Sequence, residues 1–197
     1  MLERASVLSA VLKNRCRDGP DGQRRLRVGE ARGWRLVQIA AFPGTLAALE
    51  AATRPVLGVD LPVAVGRAAV TVARRLMRIG AGEFWIVTGE HEDIATQLQS
   101  AVTPAVGSVT LLSHSRTCLW IDGAGSREVL ASGIAVDLHP EVFGQDCFAL
   151  TALHHTPIVV YRSGENRFEL FVMRTFALWT WEWLLDAALP FGYEVSR

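Results

Sequence analysis

The chain has 197 residues, half of them hydrophobic and a fifth charged, with 20 Lys or Arg balanced by 20 Asp or Glu. Zero net charge argues against a nucleic-acid partner, and no run supplies the roughly 18 apolar residues of a membrane helix; the nearest, residues 36–49, is broken by Gln38, Pro43, Gly44 and Thr45. So much apolar sequence without a span implies either a large core or burial against another protein.

In chain order, residues 1–33 read as an arm. Residues 1–35 carry nine Lys or Arg against four acids, with Trp34 as the sole aromatic, which suits a solvated or partner-docking segment. Within it, residues 2–14 are expected to form a short, loosely periodic helix, and Arg17-Asp18-Gly19-Pro20-Asp21-Gly22 a loop dense in turn formers. Residues 34–41 follow as a strand and 45–52 as a helix. Residues 70–79 and 83–88 form a hairpin about Gly80-Ala81-Gly82, 91–101 a helix, and 106–112 a strand. The order β-α-β-β-α-β is the ferredoxin-like split βαβ pattern, placed here at residues 34–113.

The second lobe, residues 114–197, begins with a strand at 117–121. A short helix at 126–131 has Gly133 as its expected C-cap. Strands follow at 147–153, 158–161 and 168–172, with Ser163-Gly164-Glu165-Asn166 as a tight turn. Thr175 is expected to cap a final helix that Pro190 and Gly192 stop near residue 189. The class is α+β: two closely packed lobes of antiparallel sheets and covering helices. On the final helix Thr175, Trp179, Glu182 and Asp186 share one polar stripe, while Trp181 lies on the opposite, apolar side. Trp183 sits at the stripe's edge. Large aromatics on both sides of one helix exceed what one core accommodates, so Trp179 and Trp183 are candidates for a contact with another chain.

Catalytic patterns are weak throughout. Gly123-Ala124-Gly125-Ser126 is not a nucleophile elbow. In Ser113-His114-Ser115, strand alternation would put the imidazole opposite both hydroxyls, so hydrogen bonding at a strand junction is expected. His139, Cys147, His154 and His155 match no metal-ligand spacing, and neither a dinucleotide loop nor a phosphate loop occurs. Glu90, Glu92 and Asp93 precede a helix, where acids suit its positive end, and Asp137 and Glu141 flank a turn. Cys16, Cys118 and Cys147, odd in number and far apart, imply reduced thiols. The first residues, Met-Leu-Glu-Arg, do not read as a secretory signal, so the cytoplasm is expected.

Several phrases are distinctive in their order: Arg78-Ile79-Gly80-Ala81-Gly82-Glu83-Phe84-Trp85-Ile86-Val87, then Ser113-His114-Ser115-Arg116-Thr117, then Val136-Asp137-Leu138-His139-Pro140. Phe168-Glu169-Leu170-Phe171-Val172 follows, and then Arg174-Thr175-Phe176-Ala177 running into Trp181-Glu182-Trp183-Leu184-Leu185-Asp186. Together they resemble the gamma subunit family of heterotetrameric sarcosine oxidase over roughly residues 34–192. The resemblance implies a fold like the folate-binding lobes of the glycine-cleavage aminomethyltransferase. It also implies a non-catalytic chain assembled with alpha, beta and delta subunits. That complex would oxidatively demethylate sarcosine or a related N-methyl amino acid and pass the one-carbon unit to tetrahydrofolate. It further implies that FAD, FMN, NAD, tetrahydrofolate and zinc are held by the other subunits and none by this chain alone. Arg174 joins Trp179 and Trp183 as a contact candidate. Two other readings are a stand-alone protein that binds folate or another small ligand, and a free-standing interaction protein.

Overall fold

A computed structural model describes residues 5–196 and resolves them into two units, one of residues 33–113 and one built from the chain on either side of it. No described helix is long and apolar enough to cross a membrane.

Residues 1–33, read from the sequence as a separate arm, carry two strands of the larger sheet, β1 (Cys16–Arg17) and β2 (Leu26–Ala31). Leu26 and Val28 are buried in the core of that unit while Arg27 between them is exposed. The expected helix over residues 2–14 is, among its described residues, only a turn in which Leu12 N–H donates to Leu8 O at 2.7 Å. It nevertheless buries Leu8 and Leu12. Residues 2–4 of that expectation lie outside the described residues.

The middle unit follows the anticipated order. Its elements are β3 (Trp34–Ala41), α1 (Leu46–Leu57), β4 (Ala69–Val70), β5 (Arg74–Arg78), β6 (Glu83–Gly89), α2 (Ile94–Ala101) and β7 (Gly107–Leu111). The sheet order β4-β5-β6-β3-β7, antiparallel throughout, is the ferredoxin-like arrangement with β4 added at one edge. Val37, Ile39, Leu76, Phe84 and Ile86 of the sheet form one core with Leu49, Leu57, Ile94 and Leu98 of the helices. Helix α1 runs past the expected residue 52 and through Pro55, because Leu49, Thr53 and Leu57 recur at i, i+4 and i+8 on its buried face. It stops at Gly58, whose φ of 73° is left-handed and whose N–H donates to Arg54 O. Helix α2 begins at Ile94 rather than 91, after a turn in which Glu92 N–H donates to Gly89 O.

The outer unit continues with β8 (Arg116–Asp122), α3 (Ser126–Ala131), β9 (Phe148–Leu153), β10 (Thr156–Arg162), β11 (Arg167–Met173), α4 (Ala177–Ala188) and β12 (Tyr193–Ser196). Its seven strands lie in the order β1-β12-β2-β8-β11-β10-β9. Among the described residues only the β12–β2 pair of this sheet is parallel. Strand β12 was not anticipated. It is four residues long, follows a helix, and is turned into the sheet at Gly192, where φ is 65° and an added Cβ would lie 2.1 Å from Gln23 O. Thr175 does not cap α4 with its side chain; Arg174–Phe176 forms a 3-10 turn ahead of the helix. Gly133 is not the left-handed C-cap either, since α3 ends at Ser132 in right-handed geometry.

Candidate subunit-contact site

Helix α4 sorts its side chains by the helical period. Ala177, Thr180, Trp181, Leu184, Leu185 and Ala188 are buried, a spacing of i, i+3, i+4, i+7, i+8 and i+11. Trp181 is 1% exposed, whereas Trp179 is 41% exposed beside Phe176 and Leu178, each exposed to a similar degree. Phe176, Trp179 and Trp183, at i, i+3 and i+7, share one side of the helix. Trp183 is half-buried and packs against the outer unit's core.

Two features outside the helix hold this aromatic side in place. His154, in the two-residue turn between β9 and β10, has a left-handed φ of 50°, a conformation that costs a non-glycine residue about 1 kcal/mol or more. Its N–H donates to Gly133 O at 3.0 Å. Its imidazole meets Trp179 and Trp183 edge-on, with ring centroids 6.1 and 6.0 Å apart, geometry that the ring quadrupoles favour. Gly133 is the second feature. A Cβ there would lie 2.5 Å from Trp183 Cζ2 and 2.6 Å from Leu153 Cδ1, so only glycine lets the indole settle.

Arg174 is engaged elsewhere. Its Nη2 donates to Ala5 O at 2.9 Å and its backbone N–H to Ser115 O at 2.9 Å. Of the three candidates, the structure thus brings Trp179 and Trp183 together over His154, and Arg174 ties the N-terminal segment to the start of α4. Sequence reasoning treated His154 as an ordinary histidine; the signal it carried was its place in a two-residue gap between apolar runs. Below this surface Glu182 and Asp186 share a shallow cleft of about 540 Å³ with Arg15, Arg17, Leu185, Leu189 and Tyr193.

A further residue escaped the sequence reading. Arg162 is 7% exposed and donates from Nε to Gly164 O at 3.1 Å, from Nη1 to Phe143 O at 2.8 Å and from Nη2 to Glu165 O at 2.9 Å. A buried guanidinium satisfied by carbonyls fixes the turn after β10 and the loop before β9 at once.

Several of the polar residues weighed in the sequence make local hydrogen bonds. Ser113 lies in a turn, not a strand; its Oγ accepts from Leu36 N–H at 3.0 Å, the junction bonding the sequence suggested. Gly80 to Glu83 is the turn between β5 and β6, with Ile79 N–H donating to Glu83 O at 2.9 Å and Arg78 Nε to Gly80 O at 3.2 Å. Asp137 Oδ1 accepts from His139 N–H at 2.9 Å, and His139 Nδ1 from Glu141 N–H at 3.4 Å, which makes Val136 to Glu141 a local turn. No group of three or more His, Cys, Asp or Glu converges among the described residues. Glu92 joins elements of the middle unit. The Thr88 hydroxyl beside it and Arg74, whose Nε is 2.9 Å from Glu92 Oε2, hold its carboxyl below the usual glutamate range. Arg74 Nη1 also donates to Val56 O and Leu57 O at the end of α1, at 3.0 and 3.3 Å.

Known proteins match this architecture over most of its length. The model of the sarcosine oxidase gamma subunit family covers residues 41–189. The sarcosine oxidase gamma subunit of Corynebacterium sp. strain U-96 is 32% identical over 174 residues, which is 87% of this chain and 83% of that one. The gamma subunit of Corynebacterium sp. strain P-1 is 32% identical over 80% of this chain and 77% of its own length. Among solved structures, a chain of the heterotetrameric sarcosine oxidase from Corynebacterium sp. U-96, in complex with pyrrole 2-carboxylate, superposes with a TM-score of 0.77 at 32% identity. That superposition covers 86% of this chain and 87% of the other. The glycine cleavage system aminomethyltransferase T of Bartonella henselae shares the fold, with a TM-score of 0.61 at 16% identity over 91% of this chain and 52% of that one. The chain belongs to the sarcosine oxidase gamma subunit family.

Proposed function

We propose that this chain is the structural gamma subunit of a cytoplasmic, heterotetrameric sarcosine oxidase, assembled with alpha, beta and delta subunits. The assembly is an oxidoreductase that removes the N-methyl group of sarcosine or a related N-methyl amino acid and delivers the one-carbon unit to tetrahydrofolate. The observation that carries the reading is the match, over nearly the full length of both chains, to a chain of a heterotetrameric enzyme. An indole left 41% exposed beside the exposed Phe176 and Leu178 suits a chain completed by partners.

The cofactors of such a complex, FAD, FMN, NAD, tetrahydrofolate and zinc, belong on this reading to the other subunits. Two observations support this for the nucleotide cofactors: the sequence has neither a dinucleotide nor a phosphate loop, and the carbonyls of the glycine-rich turn at residues 80–82 accept from Arg78. No catalytic step is therefore assigned to this chain, and its contribution is to hold subunits in place.

Co-expression of the four subunits, with and without this one, tests the proposal. The full set is expected to yield a sarcosine-oxidising complex that the other three form poorly or in unstable form. Equal yield, mass and activity from the three alone would refute it.

A further inference from the structure

A second apolar surface lies in the middle unit, independent of helix α4. Between Leu61 and Ala73 the chain runs along the outer side of β5, as the edge of the five-stranded sheet. Along it Val63 is 83% exposed, Val65 62%, Val70 50%, and Val72 fully exposed. A monomer rarely shows contiguous apolar area beyond a few hundred Å².

The segment is nonetheless firmly held. Leu61 and Ala68 are buried beneath it. Arg78 Nη1 donates to Val63 O at 2.8 Å, and Val65 bridges to Arg78. Ala69 and Val70 pair with Leu76 and Arg75, and Thr71 N–H donates to Arg74 O at 2.8 Å. The valines are thus presented outward by a fixed backbone and do not collapse onto the chain. Strand β4 itself is only two residues long, too short for a partner strand to gain much by edge pairing, so the side chains are what a partner would meet.

Charge identifies the kind of partner. Arg67 is the sole charged residue between positions 61 and 73. It is exposed and makes no ion pair or hydrogen bond among the described residues. The nearest acid along the chain, Asp60, already faces Arg54 at 3.2 Å. A second copy of this segment would bring valines and another Arg67 but no carboxylate. We infer that the segment from Val63 to Val72 is a docking surface for another subunit of the oxidase, one that offers an apolar patch with a carboxylate placed to meet Arg67. The inference rests on the gamma-subunit reading and adds a contact separate from the Trp179 surface.

The test uses the tagged chain co-expressed with its partner subunits. Wild type is compared with the quadruple variant V63T/V65T/V70T/V72T, which keeps side-chain shape at exposed positions, and with Arg67→Glu. Retained partner is measured by native mass and dilution. Both variants are expected to lose partner at least tenfold more readily than wild type, with thermal unfolding of the chain itself unchanged. The loss with Arg67→Glu should be larger at low than at high salt. Should the quadruple variant fold poorly, the single variants V63T and V72T replace it, each expected to weaken retention severalfold. Equal retention by wild type and variants would overturn the inference. So would a wild-type chain that dimerises through these valines while holding its partners unchanged. A wild-type chain that captures no partner subunit would instead bring down the gamma-subunit reading itself.

Discussion

Replacing Trp179 by arginine separates assembly from folding. Trp179 is 41% exposed, and a tryptophan buries about 150–250 Å², so roughly 60–100 Å² of indole remains to be covered by a partner, about 1.5–2.5 kcal/mol at about 25 cal/mol per Å². An arginine stem covers the part of the helix on which the indole now rests. Arginine is also a strong helix former, so the cost to the lone chain should stay within about 1 kcal/mol. Its guanidinium would enter the contact without a partner, which adds to the loss. Dissociation of the complex, followed by native mass or gradient sedimentation, should therefore become easier by roughly 10- to 70-fold or more. Trp181→Ala is the control, since that indole is 1% exposed and its truncation should cost about 3–5 kcal/mol of folding, read as a fall in Tm of about 2–4 °C for each kcal/mol. If Trp179→Arg lowered the Tm of the chain as far as Trp181→Ala does, Trp179 would be core and the division of the helix would be refuted. If it left both Tm and assembly untouched, the contact would lie elsewhere.

Gly133→Ala should cost about 1–3 kcal/mol by chemical denaturation and shift tryptophan emission, because the new methyl meets the Trp183 ring at 2.5 Å; an unchanged spectrum and stability would show the indole is not confined there. Arg162→Met should lose about 2–4 kcal/mol by the same assay, since it leaves the carbonyls of Phe143, Gly164 and Glu165 without their donor. Glu92 has its pKa lowered by Thr88 and Arg74 from the ordinary 4.5, so its pairing stabilises the fold above that value and the stabilisation is lost as pH falls through the folded-state pKa. Glu92→Gln should accordingly be less stable than wild type by about 0.5 kcal/mol at pH 7, with the difference gone in strong acid; a difference that grew with acidification would reverse the sign. Calorimetric titration of this chain with tetrahydrofolate should show no micromolar binding, and such binding would revive the small-ligand reading.

The middle unit was legible because its signals are local. Residues 34–41 and 83–89 are apolar runs, Gly80 to Gly82 marks the hairpin between β5 and β6, and every partner lies within the same 81-residue stretch. Strands β2 and β12 were not legible, for the opposite reason. Leu26 and Val28 alternate with arginines; Leu26 pairs with Tyr193, and Val28 with Ile121 and Val195, all about a hundred or more residues away. Only the tertiary fold distinguishes such a segment from a basic arm. The helical period of α4 separated Trp179 from Trp181, but it could not show that Trp183 depends on a glycine fifty residues earlier. Likewise, a buried arginine such as Arg162 looks like any surface cation until the loops that supply its carbonyls are in place.

If this chain works as one subunit among several, it should leave its native cells in their company. A tagged copy recovered from those cells, examined by visible absorption and by subunit masses, decides the matter. The expected product is a yellow complex with flavin bands, containing this chain and three companions. A colourless chain recovered alone, stable and monodisperse, would contradict it.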